Sequence, residues 1–292
     1  MVQNKFFAVD SHCHIYPEKI AQKAVAGTDK FYDTVAVGDG TVKNLFHLGE
    51  KAGIDHFVVQ SVATTPKQVK SINEFIAQTV SEAKDKLTGF GTLHPDSEDI
   101  KGDVKHLIEL GLKGVKLHPD IQQFPCDNDN CMKIYELCEE NGLIILMHTG
   151  DYRYDYSNPN RVKPILERFK ELRFIGAHLA GWSIWKEAYE QLSEFSNLYV
   201  DCSSCFGFGD VKETEMLMKK YGADRVLFGT DYPMWSPEKE METLQTEIDE
   251  LKQLIESPEV ASDYEKLSKI LAEIKTKEEQ LEELETLWLE LA

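Results

Sequence analysis

The chain has 292 residues, 42% of them apolar and 28% charged, enough to bury one large core or two modest ones. Its 32 Lys+Arg against 51 Asp+Glu give a formal charge of −19, which excludes the positive footprint that a nucleic-acid or anionic-membrane binder needs. No apolar run approaches the ~20 residues of a membrane span and Met1–Lys5 opens no signal peptide, so a cytoplasmic, soluble enzyme is expected.

Short β-branched or aromatic runs alternate with longer 3.6-period stretches through the first 236 residues. In chain order the strands are expected at Phe6–His12, His56–Ala63, Leu87–Leu93, Leu112–Leu117, Leu143–Met147, Arg173–Ala177, Leu198–Cys202 and Arg225–Gly229. Helical stretches lie between them at Pro66–Lys86, Cys131–Asn141, Pro164–Lys170 and Asp210–Tyr221. This alternation predicts an α/β fold, a (β/α)8 TIM barrel over residues 1–245. An open doubly wound sheet is the alternative, but no Gly-rich phosphate loop follows the first strand.

The tail has a different composition. From Pro237 onward 6 lysines face 17 acidic residues, with no Arg, Gly, His or Cys. Met241, Leu244, Ile248, Leu251 and Ile255 step by 3 and 4, and Leu267, Ile270, Ile274, Leu281, Leu284, Trp288 and Leu291 resume the pattern after Ser257-Pro258-Glu259. Residues 246–292 are therefore expected as an acidic antiparallel coiled-coil hairpin, a surface for a second copy or a protein partner.

Six histidines, His12, His14, His94, His118, His148 and His178, fall at the C-terminal ends of expected strands. In a barrel those ends converge on one mouth, where the site of such enzymes lies. A strand period of 2 puts His12 and His14 on one face and Cys13 on the other. His148 ends strand five, His178 strand six, and Asp231 strand eight in Gly229-Thr230-Asp231-Tyr232-Pro233. Neutral imidazoles with a carboxylate suit Zn2+, with Mn2+ and Fe2+ as the next choices. Lys116 and His118 share a face of strand four and are read as further metal- or substrate-contacting groups, and His94 and His118 equally as turn-stabilising side chains before Pro95 and Pro119.

The set resembles the amidohydrolase superfamily, in particular the amidohydrolase-related branch that includes aminocarboxymuconate semialdehyde decarboxylase. It does so over roughly residues 5–245, through His12-Cys13-His14, Gly114-Val115-Lys116-Leu117-His118-Pro119, His148, His178 and Gly229-Thr230-Asp231-Tyr232-Pro233. The resemblance implies one divalent ion, Zn2+ or alternatively Mn2+, on His12, His14, His148 and Asp231. It makes His178 an unliganded acid/base and gives Asp231 a second role in steering the proton of the metal-bound water. It also admits a second ion, bridged by a carboxylated Lys116. In the tail, Leu254–Tyr264 is similar to the coiled-coil hairpin that ends ABC-type ATPases of the F subfamily.

The loop after strand five, with Tyr152 and Arg153, and Trp182 after strand six are expected to contact a planar or carboxylated small-molecule substrate. Arg161, after Asn158-Pro159, is read instead as structural. The six cysteines form no disulfide framework and are expected as buried, reduced thiols. Three functions follow. A hydrolase of a small amide, ester or lactone is favoured, because decarboxylation of an unsaturated or aromatic acid needs cationic anchors and only Arg153 and Lys116 offer themselves. An inactive barrel assembling through its coiled coil is the third.

Overall fold

A computed structural model describes residues 7–83, 85–208, 211–236, 252, 266–272, 274–275 and 277–278. Eight parallel strands lie in sequence order: β1 (Val9–His14), β2 (His56–Gln60), β3 (Leu87–Thr92), β4 (Gly114–Leu117), β5 (Ile144–Met147), β6 (Phe174–Gly176), β7 (Leu198–Asp201) and β8 (Val226–Leu227). The helices are α1 (Glu18–Tyr32), α2 (Val42–Ala52), α3 (Val69–Glu82), α4 (Ile100–Glu109), α5 (Pro119–Gln122), α6 (Asp129–Glu140), α7 (Pro159–Arg168), α8 (Trp185–Leu192), α9 (Cys205–Phe208) and α10 (Val211–Tyr221). The sheet closes where β1 meets the chain beyond β8: Ser11 N–H donates to Phe228 O at 2.9 Å and His14 N–H to Tyr232 O at 2.6 Å. Gly229 permits this approach, since a Cβ there would stand 2.9 Å from the Cβ of His12. The expected (β/α)8 architecture is thus present.

Two apolar layers hold it together. The larger lies between strands and helices and takes in Val59, Val115, Leu117, Ile134, Ile145 and Val200. The smaller fills the lumen with Phe90, Leu146, Ile175 and Ala177. Alternation along the strands carries this floor up to the mouth: Leu146 points into the lumen, and so does His148 two residues on.

Local chemistry explains where the elements begin. α6 starts because the Asn128 side chain accepts from the amides of Asn130 and Cys131. It then buries Cys131, Ile134, Tyr135 and Cys138 at helical spacing. All six cysteines are free and buried, as expected. β1 is displaced from the expected Phe6–His12, because its polar residues pair across the closing seam: both oxygens of Asp10 accept from Thr230, and Ser11 Oγ donates to Phe228 O at 2.7 Å. The helix expected from Pro164 begins at Pro159 and contains Pro164. Proline fits the first turn, and Asn158-Pro159 supplies that turn.

The expected tail hairpin, and with it the likeness to ABC-type ATPases, falls largely outside the described residues. Of that segment, Ile270 and Ile274 are buried beside Leu267, and Lys252 Nζ lies 2.6 Å from Glu278 Oε1. No helix among the described residues is long and apolar enough to cross a membrane.

Candidate metal centre

β1 ends in His12 and His14, whose Nε2 atoms face each other at 3.2 Å. Asp231, just past β8, brings Oδ1 to 3.3 Å from Nε2 of His12 and 3.6 Å from Nε2 of His14. Its other oxygen accepts from Ser204 Oγ at 2.7 Å, and Ser204 accepts in turn from Trp235 Nε1 at 3.0 Å. Asp231 has φ of 55°, a left-handed backbone uncommon for a residue with a Cβ. Lys116, fully buried on β4, reaches 2.9 Å from His12 Nε2.

The far side of His12 is held by Asp201 at the end of β7, whose Oδ2 is 2.9 Å from His12 Nδ1. The other oxygen of Asp201 accepts from the amides of His178 and Ser203, both at 3.1 Å, and from Ser203 Oγ at 2.5 Å. Asp201 accordingly accepts the Nδ1–H of His12 and leaves Nε2 as the lone-pair nitrogen, which faces His14, Asp231 and the Nζ of Lys116.

His178 departs from strand alternation. His178, Leu179 and Ala180 all have positive φ, from 53° to 61°, and this left-handed turn swings His178 inward. Its Nδ1 donates to Ser203 O at 2.8 Å, so Nε2 is an acceptor, 3.0 Å from His148 Nδ1. His148 thus pairs with His178 and stands apart from the cluster formed by His12, His14 and Asp231. His118 stacks on His148 with centroids 4.0 Å apart and planes 6° from parallel. His94 Nδ1 accepts from the amide of Asp96 at 3.2 Å, the turn-stabilising role.

Burial governs the charge states. It holds His12, His14, His118 and His148 well below the ordinary histidine range, the first two further depressed by Lys116 and His148 by His118. Burial brings His178 down to about 4 against the pull of Asp201. It also lowers Lys116 and raises Asp231, each opposing part of the other's shift. The imidazoles are therefore neutral at pH 7, the state in which they bind metal.

Among the described residues, three groups of donors lie close enough together to be tested against an ion. In His12–His178–Asp201 the carboxylate is spent on hydrogen bonds to His12 and backbone amides. In His118–Asp120–His148 the parallel rings send their in-plane lone pairs along lines that do not meet. In His12–His14–Asp231 the spacings of 3.2, 3.3 and 3.6 Å match the about 3.3–3.4 Å between ligands placed tetrahedrally at about 2.0–2.1 Å from Zn2+. Of these three groups among the described residues, this last one matches the spacing that a divalent ion needs.

Around this group the mouth is aromatic. Trp182 is buried and stands edge-on to Tyr32 and Phe208, each with centroids 5.1 Å away. Arg153 is committed to its neighbour: Nε donates to Asp151 Oδ1 at 2.9 Å and Nη2 to Oδ2 at 2.7 Å. Tyr152, on the same loop, is 72% exposed. Arg161 is structural, as expected, with Asp127 and Asp155 at 2.8 and 2.9 Å. Sequence reasoning missed Asp201, Ser203, Ser204, Tyr32 and Asp120. Asp201 was the findable one, an acid at the end of an expected strand.

A closed barrel with carboxylate and imidazole donors gathered at its C-terminal mouth is the arrangement of a metal-dependent barrel enzyme. The chain belongs to the amidohydrolase family, whose sequence pattern matches residues 9–273. No curated protein matches it. Among solved structures it is similar to an uncharacterized TIM-barrel protein of Bordetella bronchiseptica (19% identity, 92% of this chain and 100% of that one, TM-score 0.67). It is also similar to a dihydroxybenzoic acid decarboxylase of a Polaromonas species, solved with bound manganese and 2-nitroresorcinol (14%, 82% and 90%, TM-score 0.57). A third is a probable 2-pyrone-4,6-dicarboxylic acid hydrolase of Acinetobacter baumannii (14%, 96% and 96%, TM-score 0.56). At these identities the likeness is one of fold.

Proposed function

We propose that the protein is a metal-dependent hydrolase of a small, uncharged amide, ester or lactone. The observation that carries this reading over decarboxylation is the state of the arginines. Arg153, the one arginine at the mouth, is forked onto Asp151. Arg161 is paired with Asp127 and Asp155, Arg173 donates to Gly142 O, Arg225 to Ser193 O and Tyr221 O, and Arg168 lies over Phe169. Lys116 is held against His12. No arginine is left to anchor a departing carboxylate.

One divalent ion, Zn2+ or Mn2+, would be held by His12, His14 and Asp231 and would supply Lewis acidity to a carbonyl and acidity to a water. Asp231 Oδ1, beside both histidine donors, takes the proton of the attacking water and returns it to the departing oxygen or nitrogen. Ser204 keeps the other oxygen of Asp231 fixed during that exchange. His178, with Nδ1–H fixed on Ser203 O, accepts at Nε2 from His148 Nδ1 at 3.0 Å, so a second proton reaching His148 Nε2 is relayed to His178. Tyr32, Trp182 and Phe208 keep water from the reacting carbon.

The test joins metal content to activity. Protein purified without chelator should hold about one equivalent, His12→Ala should lose it, and only loaded wild type should hydrolyse a panel of nitrophenyl esters and lactones. Two equivalents would point to a carboxylated Lys116 bridging a second ion. Release of CO2 from dihydroxybenzoates without ester or lactone hydrolysis would move the reading to decarboxylation. Absence of bound Zn2+ or Mn2+ after their addition would leave the scaffold reading.

A further inference from the structure

Tyr32 ends α1, 86 residues before His118. Its hydroxyl oxygen lies 2.8 Å from His118 Nε2. The amide of Ile121 donates to the other nitrogen of that ring, Nδ1, at 3.3 Å. A backbone N–H always donates, so Nδ1 carries the lone pair and Nε2 carries the ring's single proton. His118 therefore donates to Tyr32, and the phenolic hydrogen is directed elsewhere. The His148 nitrogens near it are 3.4 and 3.5 Å away, long for an O–H···N bond. The hydroxyl is thus oriented by one strong bond and left with a weakly used donor.

The segment that carries it is fixed. Arg153 Nη1 donates to Phe31 O at 2.8 Å, and its guanidinium lies 4.8–5.3 Å from the ring centroids of Phe31, Tyr32, Tyr154 and Trp182. Asp151 holds the guanidinium from the opposite side. The ring of Tyr32 meets that of Trp182 at 69°, a corner with two flat walls and one donor.

We propose that Tyr32 is a substrate-contacting residue of this site, presenting its hydroxyl hydrogen to an acceptor oxygen on a planar ring substrate seated against Trp182. The proposal rests on the hydrolase reading for its substrate, an aromatic or unsaturated lactone or ester. It rests on the Ile121–His118–Tyr32 chain for its geometry.

Two measurements on the full-length, Zn2+-loaded protein separate these. Binding of coumarin, a planar lactone, is compared with 2H-chromene, in which the carbonyl is replaced by CH2. Tyr32→Phe keeps the ring and should weaken coumarin about threefold to tenfold, the worth of one neutral hydrogen bond, while leaving chromene and metal content unchanged. Equal weakening of both probes, or of neither, overturns the proposal. Imidazole 15N spectra should place the His118 proton on Nε2, with a shift of that signal in Tyr32→Phe; a proton on Nδ1 overturns the proposal whatever the substrate. If the wild type binds neither probe, the planar-lactone substrate is overturned while the hydrolase reading stands on its own test, and the His118 signal decides the fate of the Tyr32 arrangement.

Discussion

Asp201 and His12, 189 residues apart in the chain, meet at 2.9 Å with both side chains fully buried. A carboxylate behind a histidine fixes its tautomer and raises its basicity as a ligand. Asp201→Asn keeps the shape but offers an uncharged acceptor. Zn2+ affinity should fall about 10-fold to 100-fold, read by competition with a chromogenic chelator. Unchanged affinity would show that His12 needs no such support.

Asp231 depends on Ser204, which depends on Trp235. Ser204→Ala frees one carboxylate oxygen without touching the donor that faces the histidines. We expect kcat for ester hydrolysis to fall about tenfold with metal content near wild type. Loss of metal instead would mean that Ser204 holds the donor itself in place.

Arg153→Lys should loosen the mouth. A lysine cannot fork onto Asp151 or lay a plane against the surrounding rings. The side chain is partly exposed, so the stability loss should be about 1 kcal/mol or less, measured by urea unfolding. Amide exchange should quicken in the Phe31–Tyr32 segment. A loss confined to global stability would count against Arg153 as a local fastening.

The thiols give a pH prediction. Burial raises Cys131 and Cys138 to about 12, so the folded chain keeps protons that an unfolded one releases above about pH 9. Their contribution to stability is full below about pH 9 and is lost as pH climbs toward 12. Native protein should barely react with Ellman's reagent at pH 8, whereas denatured protein should yield six thiols per chain. Rapid labelling of the native state at pH 8 would contradict the burial.

Much of this was legible beforehand. His12, His14, His148, His178 and Asp231 stood at strand ends, and a period of 2 put the first two on one face. The resemblance to the amidohydrolase superfamily named the family correctly. What stayed hidden depends on long-range approach. Tyr32 lies in a helix that had no sequence signature, and it is brought to His118 by packing alone. The hydrogen bonds of His178 to Ser203 O and to His148 Nδ1 join residues from different strand ends, which no spacing reveals. Tyr152 and Arg153 are adjacent and looked equivalent, yet one faces solvent and the other is drawn to Asp151.

The closing seam of the barrel has a further consequence for how the protein matures. His12 and His14 belong to the first strand, and Asp231 follows the last. These ends are joined by the Asp10–Thr230 pair and by the amides of Ser11 and His14. An unfinished chain emerging from the ribosome, or a barrel missing either terminal strand, cannot assemble the three donors. An ion captured there would act as a clasp across the join, rewarding only the completed circuit. Metal uptake at this proposed site would then double as a report that the last strand has found the first.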